Sequence, residues 1–394
     1  MFKWRKKLSR NAKWLLLTEP GWSIPMPWIF YYQSIYVTAL GISELEYGAY
    51  MSLSRGLAMV APLMAMPVAA KLSLKKAFLV LDTLANAGVL LPFVTGRREL
   101  VAVAFTFSGI ASSSAILWEV LLVEGTSSEA LVAAYSIPTV IFLVGNLLTP
   151  LAGLILERLG LVSGFQILAA LALSTFTAKT MVLVFKLEEP KTRLERGDRG
   201  GLREAVKLVA LERRMLILLL FTVFSSVIYA IFSYQSLYLC DERGAGMNVE
   251  VAGLVPSFSS AVSLIILTIV TSKPQINRLG YLITSSLAGV ISYTLYTLSP
   301  VDPKLAFAAA VASGLRGAEF AVSRAYFVDL LEGSDAVAKG HAISLLYTLG
   351  NIVTIPAPTI VGFLYSIQPV NIWYLAISAA LGQLLSIVLL TKQR

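Results

Sequence analysis

Apolar runs of about 20 residues recur from one end of this 394-residue chain to the other, and nothing else in the sequence limits its fold so strongly. A bilayer core about 30 Å thick is crossed by an apolar helix of about 20 residues. Such runs lie at approximately 19–40, 48–70, 77–95, 100–123, 130–156, 162–185, 215–239, 250–271, 279–299, 305–330, 338–366 and 371–391. They are continuous, whereas the strands of a membrane barrel alternate polar and apolar residues over about 10 positions. The sequence is 57% hydrophobic and 14% charged, against roughly 45–50% and 25% in soluble domains. The expected fold class is an all-α polytopic membrane protein with twelve transmembrane helices.

Charge placement gives an expected orientation. Of the 32 lysines and arginines, 23 fall in the termini and loops on one side of such a topology and five on the other (Arg97, Arg98, Arg158, Arg243, Lys304), with four inside spans. Basic loops face the cytoplasm, so both termini are expected there, in the plasma membrane. The net charge of +9 then reflects topology and anionic lipid, with no nucleic-acid partner. The start MFKWRKKLSRNAKW has a basic stretch but no short apolar region with a cleavage site after it, and reads as retained.

A repeat divides the chain. IFYYQSIYV at 29–37 returns as IFSYQSLYL at 231–239, an offset of 202. ANAGV (85–89) meets SLAGV (286–290) at 201, GNLLT (145–149) meets GNIVT (350–354) at 205, and EGT (124–126) meets EGS (332–334) at 208. Matches in one order at a nearly constant offset imply two parallel six-helix halves. The expected domains are residues 1–185 and 215–394, joined by a cytoplasmic linker at 186–214. In that linker Leu202, Val206, Val209 and Leu211 fall near helical spacing among basic residues, as in a surface-lying amphipathic helix.

Along essentially its whole length the sequence resembles the major facilitator superfamily, whose two six-helix halves are related about the membrane normal. GNLLTPLAG, from Gly145 through Pro150 to Gly153, is similar to that family's antiporter motif, with Thr149 and Leu154 standing where the motif has glycines. The family's loop motif between spans two and three survives only as Lys75 and Lys76 within AAKLSLKKAF. The resemblance implies a major facilitator fold, two pseudo-symmetric bundles rocking about a central site, and spans one, four, seven and ten lining the cavity.

Charge inside hydrocarbon costs roughly 2.5–3.5 kcal/mol per group on insertion scales, so intramembrane ionisable residues mark candidate sites. Span ten carries Arg316 and Glu319 on one helical face. Arg316 is the expected ligand for an anionic or polar substrate group and Glu319 the proton carrier, the alternative being a mutually neutralised structural pair. Aligning Gly109 with Gly314 at offset 205 sets Glu119 opposite Arg324, a candidate gate. Arg55 in span two adds positive charge if it faces the cavity. Asp82 reads as a local partner of Lys71, Lys75 and Lys76, and Lys179 as a lysine reaching for the membrane surface. Tyr32, Gln33 and Tyr36, with Tyr234, Gln235 and Tyr238, fall on one arc of their helices. They are expected to wall the substrate site, the alternative being an interfacial aromatic belt.

No HExxH, GxSxG or GxxxxGK pattern is present, and the chain has one cysteine, Cys240, and one histidine, His341. An enzyme, an ATP-driven pump and a cysteine or histidine metal centre are therefore not expected, nor is any cofactor. The expected function is secondary active transport of a small molecule by a monomer, coupled to protons, with efflux of amphipathic compounds favoured by the span-five motif. Symport or uniport of sugars or organic anions is the alternative within this class, and a lipid-handling membrane protein is the alternative outside it.

Overall fold

The computed structural model describes residues 8–124, 126–189, 213–272, 277–330 and 352–392; at 66, 128, 129, 131–133, 324, 325 and 327–330 only the backbone is described. All regular structure among these residues is helical. The chain forms two compact units, Met1–Glu195 and Arg196–Arg394.

In the first unit α1 (Arg10–Thr18), α2 (Pro20–Ser23) and α3 (Met26–Ala39) precede α4 (Glu44–Leu72), α5 (Leu74–Thr95), α6 (Val101–Val123), α7 (Ser128–Leu147), α8 (Thr149–Leu159) and α9 (Leu161–Lys186). In the second, α10 (Arg213–Phe232), α11 (Gln235–Cys240), α12 (Val249–Ala252) and α13 (Leu254–Ser272) are followed by α14 (Arg278–Leu298), α15 (Lys304–Gly314), α16 (Glu319–Leu330), α17 (Ala357–Ile367) and α18 (Asn371–Thr391).

Ten stretches among the described residues are long and apolar enough to cross a membrane, and Ile352–Ile367 is a shorter apolar helix. Two of the twelve expected spans, the first and the eleventh, are not among these ten. The expected first span, 19–40, is interrupted between α2 and α3: Pro20 opens α2, and Pro25 and Pro27 stand at the start of α3, where their missing backbone N–H groups prevent a continuous helix. The expected eleventh span begins at 338, and its part before residue 352 lies outside the described residues, as does the proposed linker helix at 202–211.

The repeat is visible in the packing. In the first unit α4 packs along α6, and α5 along α6 and α9; in the second, α13 packs along α15, and α14 along α15 and α18. The crossings use matching glycines. A Cβ on Gly109 would lie 2.4 Å from the Ser54 carbonyl oxygen and 2.6 Å from Leu57, and one on Gly314 would lie 2.6 Å from the Ser259 oxygen and 2.5 Å from Val262. All three residue pairs share the offset of 205 read from the sequence. Small residues let membrane helices approach backbone to backbone, and here each half uses one at the same place.

The repeated tyrosines reach corresponding spans in both units, three and five in the first and nine and eleven in the second, whereas the two glutamines reach different ones. Tyr36 donates to the Phe93 carbonyl at 2.9 Å and Tyr238 to the Tyr296 carbonyl at 2.6 Å. Tyr32 donates to the Thr149 carbonyl at 3.3 Å and Tyr234 to the Pro358 carbonyl at 3.3 Å. Gln33 donates to the Tyr47 hydroxyl at 3.0 Å and Gln235 to the Tyr296 hydroxyl at 2.6 Å. All four tyrosines are buried, and Tyr36 stacks on Phe165 with centroids 4.0 Å apart. The tyrosines repeat because the helices they pin together repeat.

Candidate functional site

In the second unit the charged residues of span ten sit at a break in the helix. Between α15 and α16, residues 315–318 form a tight turn in which Arg316 and Gly317 bond back three residues, to Ser313 and Gly314, at 3.0 Å each. Backbone groups freed inside a membrane need new partners. Tyr281 supplies them: its hydroxyl donates to the Leu315 carbonyl and accepts from the Ala318 N–H, both at 3.0 Å. Ser263 donates to the Gly314 carbonyl at 3.3 Å.

The turn presents Arg316 to a closed set of partners. Its Nε donates to Glu319 Oε2 at 2.7 Å, and Nη2 to Glu319 Oε1 at 2.9 Å. Nη2 also donates to Gln383 Oε1 at 3.0 Å, and Nη1 bonds the Tyr293 hydroxyl. Gln383 in turn donates to Ser225 at 2.7 Å and to Glu319 Oε1 at 3.3 Å, while Ser285 donates to Glu319 Oε2. Both charged side chains are 12% exposed. Gly289 makes room for the guanidinium, since a Cβ there would lie 2.7 Å from Nη1. A cavity of about 270 Å³ borders the cluster, lined by Ser225, Tyr229, Phe232, Tyr293, Arg316 and Glu319 among others. The fork-to-carboxylate geometry is the strong, orientation-specific form of an ion pair.

The first unit holds a second polar cluster, at the broken first span. Lys179 Nζ stands 3.6 Å from Glu19 Oε2, with the two side chains 5% and 7% exposed. Glu19 Oε1 accepts from Ser23 at 2.6 Å. Asp82 Oδ1 accepts from Asn86 at 3.0 Å and Ser114 at 3.2 Å, and Asn86 Oδ1 accepts from the Trp22 indole at 2.9 Å. These residues border a cavity of about 250 Å³ together with Trp118 and Pro138. Two expectations are corrected here. Asp82 is bonded to Asn86 and Ser114 rather than to the loop lysines, and Lys179 is buried against Glu19 rather than extended to the surface.

The other expected site residues are placed as follows. Arg55 is half-buried on α4 and borders neither cavity described above. Glu119 accepts from Tyr135 at 2.7 Å within the first unit; the side chain of Arg324 lies outside the described residues, so the gate pair does too. Gly145 marks a close approach: a Cβ there would lie 2.7 Å from the Ser23 and Ile24 carbonyl oxygens, and its own carbonyl accepts from the Trp28 indole at 2.9 Å. The helix is interrupted just after it, at Leu148, and restarts with Pro150 in its first turn; Gly153 is buried in α8. The antiporter-like motif thus packs against the break in span one. Tyr32, Gln33, Tyr36, Tyr234, Gln235 and Tyr238 border neither cavity.

Sequence reasoning missed Tyr293, Ser285, Ser225 and Gln383, because it weighed neutral residues only where they belong to the repeated segment and otherwise followed intramembrane charge. The available signal was Gln383, a lone amide inside the apolar run of span twelve and fully buried in the structure.

A bundle of membrane-length helices, broken where it buries charge beside a cavity, defines a polytopic carrier. The family model of the Major Facilitator Superfamily matches residues 20–300, and the chain belongs to that family. It is a secondary transporter of small molecules across a membrane, not a catalytic enzyme. Sequence comparison with curated proteins finds no match. Among solved structures, the nucleoside transporter NupG is similar at 15% identity over 98% of this chain and 99% of that one, with a TM-score of 0.73. An inward-facing, unoccupied bacterial homolog of the human lysosomal transporter Spinster is similar at 14% identity, over 99% and 95%, with a TM-score of 0.64. An outward-facing bacterial homologue of the iron transporter ferroportin is similar at 14%, over 98% and 100%, with a TM-score of 0.64. Likeness at this identity establishes the fold alone.

Proposed function

We propose that this chain is a twelve-span, proton-coupled carrier working by alternating access, with Arg316 as substrate ligand and Glu319 as proton carrier. Its halves are residues 1–185 and 215–394, joined by 186–214, and it acts as a monomer in the plasma membrane with both termini cytoplasmic. The observation that carries the reading is the paired engagement of Arg316 and Glu319 at a helix break beside a cavity. With both carboxylate oxygens engaged by Arg316, a proton reaches Glu319 only when Arg316 lets go. An anionic substrate group that takes over the guanidinium leaves Glu319 as a buried carboxylate without its counter-charge, and protonation relieves that cost. Substrate binding and proton uptake are then one exchange. This favours small organic anions, or other molecules with an acidic group; efflux of amphipathic compounds rests on the span-five motif alone.

The test uses the purified protein in liposomes with an internal pH-sensitive dye, comparing wild type with Glu319→Gln across a panel of organic anions, sugars, amino acids and amphipathic cations. Substrate-dependent proton movement that disappears in the variant supports the exchange. Proton movement unchanged in the variant places coupling elsewhere. Labelled substrate crossing without proton movement makes the protein a uniporter, or couples it to another ion.

A further inference from the structure

The cluster in the first unit is chemically unlike the one just described. It carries two carboxylates against one ammonium, so as ionised groups it is one negative charge in excess. Its hydrogen bonding is also incomplete. Asp82 is 9% exposed, yet both of its side-chain bonds fall on Oδ1, and no described residue donates to Oδ2. The Trp118 indole nitrogen is buried with no hydrogen-bond partner among the described residues. Lys179 is 6.0 Å from the Trp22 ring centroid and is held by Glu19, so its charge is already balanced. Glu19 Oε2 also lacks a hydrogen bond among the described residues but faces Lys179 at 3.6 Å; what is left for a ligand is Asp82 Oδ2, the Trp118 indole donor and two tryptophan side chains, all from residues that line a single cavity.

We infer that this cavity is a binding site for a small organic cation. A primary ammonium seats on Asp82 Oδ2, where a charge-assisted hydrogen bond replaces the missing partner. The apolar body lies against the tryptophans, whose ring faces attract cations and whose area shields the pair from water. An acceptor on the ligand, a hydroxyl or carbonyl, takes the Trp118 N–H. The volume of about 250 Å³ is just below the roughly 300–1,000 Å³ of drug-sized pockets, which limits the occupant to a small arylalkylamine or a compound of similar size. The break in span one is what builds the site, because it carries Glu19 and Trp22 to the cavity wall; irregular backbone within a membrane is tolerated where it lines such a space.

The experiment is calorimetric titration of the full chain in detergent, with tyramine as the probe and its neutral and anionic analogues, 2-(4-hydroxyphenyl)ethanol and 4-hydroxyphenylacetate, as comparators. Tyramine binds and the two analogues bind at least tenfold more weakly. Asp82→Asn weakens tyramine at least tenfold, Trp118→Phe by about fivefold, the worth of about one hydrogen bond, and Asp302→Asn, at an exposed carboxylate of the second unit, leaves it unchanged. Each variant is first checked for an unchanged melting temperature; if Asp82→Asn melts early, the analogue series and Trp118→Phe decide. Equal binding of the three analogues, or tighter binding of the anion, overturns the assignment. So does loss of tyramine binding on Glu319→Gln, which moves the cation to the second unit. The titration needs no gradient, so a failure of proton coupling and a failure of this site are seen separately.

Discussion

The two units bury charge in opposite ways. In the second, Arg316 and Glu319 are fork-bonded and flanked by Gln383, Tyr293 and Ser285. In the first, Lys179 and Glu19 stand 3.6 Å apart, beyond hydrogen-bond reach, and Asp82 has no ion pair with a cation among the described residues. A closed network fixes geometry and yields only to a competitor for the same guanidinium. An open one is already arranged for something absent from the chain itself. Identical helix pairings therefore support two different kinds of polar site, because the residues at the breaks differ while the crossings that hold the breaks do not.

The largest test of this contrast removes one cation from each unit. Arg316→Met leaves Glu319 buried and unpaired, and we expect destabilisation of about 3–5 kcal/mol with loss of transport. Lys179→Met breaks a longer contact and should cost clearly less. Both are read as melting temperature in detergent beside uptake in liposomes. Arg316→Met combined with Glu319→Leu should recover most of the stability without recovering transport. If Lys179→Met costs as much as Arg316→Met, the first cluster is not the looser one. Recovery of transport in the double variant makes the second cluster merely structural.

A second test addresses the shared frame. Gly109→Ala and Gly314→Ala each drive a methyl group into a carbonyl oxygen, at 2.4 and 2.6 Å, and overpacking of this kind costs about 1–3 kcal/mol. The two variants should shift the melting temperature by similar amounts. One tolerated and one damaging would show that the two crossings are not mechanically alike despite their common spacing.

The spans, their helical nature and the repeat were legible in the sequence because hydrophobic length and spacing are local properties. Arg316 and Glu319 were legible for the same reason, as charges within one apolar run three residues apart. The first-unit cluster was not. Glu19, Asp82 and Lys179 come from three separate spans; Asp82 and Lys179 each had an ordinary explanation in its own neighbourhood, a basic loop and a membrane surface, and Glu19, at the edge of its apolar run, was not singled out. Only tertiary packing brings Lys179 to Glu19, across 160 residues of chain. The break in span one was also hidden, since Pro20, Pro25 and Pro27 are compatible with a kinked membrane helix until backbone and side-chain partners are seen. The repeated tyrosines were found as a pattern, yet their partners, Phe93, Thr149, Tyr296 and Pro358, carry no signal that pairs them.

Those tyrosines sharpen the comparison at smaller scale. We expect Tyr36→Phe and Tyr238→Phe each to lower stability by about 1 kcal/mol, the net worth of a buried hydrogen bond, through loss of the bonds to Phe93 and Tyr296. The substrate KM should not change, because neither side chain borders either of the two cavities described above. A raised KM with unchanged melting would assign them to the substrate wall instead.

The smallest expected effect lies where the second unit has a clasp and the first has none. At the end of α11, Asp241 accepts from the Arg243 backbone at 2.8 Å, from its guanidinium at 2.9 Å and from the Tyr365 hydroxyl at 3.0 Å, tying this loop to α17. At the repeat offset of 202 the first unit has Ala39, with no carboxylate. Burial alone would raise the Asp241 pKa, but the Arg243 and Tyr365 hydrogen bonds prevail and hold it below the usual aspartate value. A carboxyl depressed in this way stabilises the fold at pH values above the unfolded pKa of about 3.9, and the contribution is lost as pH falls through its own lower value. Asp241→Asn should therefore lower the melting temperature slightly at pH 7, by the equivalent of about 0.5–1 kcal/mol. The difference from wild type should shrink as pH falls below about 4. A difference that persists undiminished there would mean that the clasp works through shape and neutral hydrogen bonds, which the asparagine would keep only in part, and not through charge.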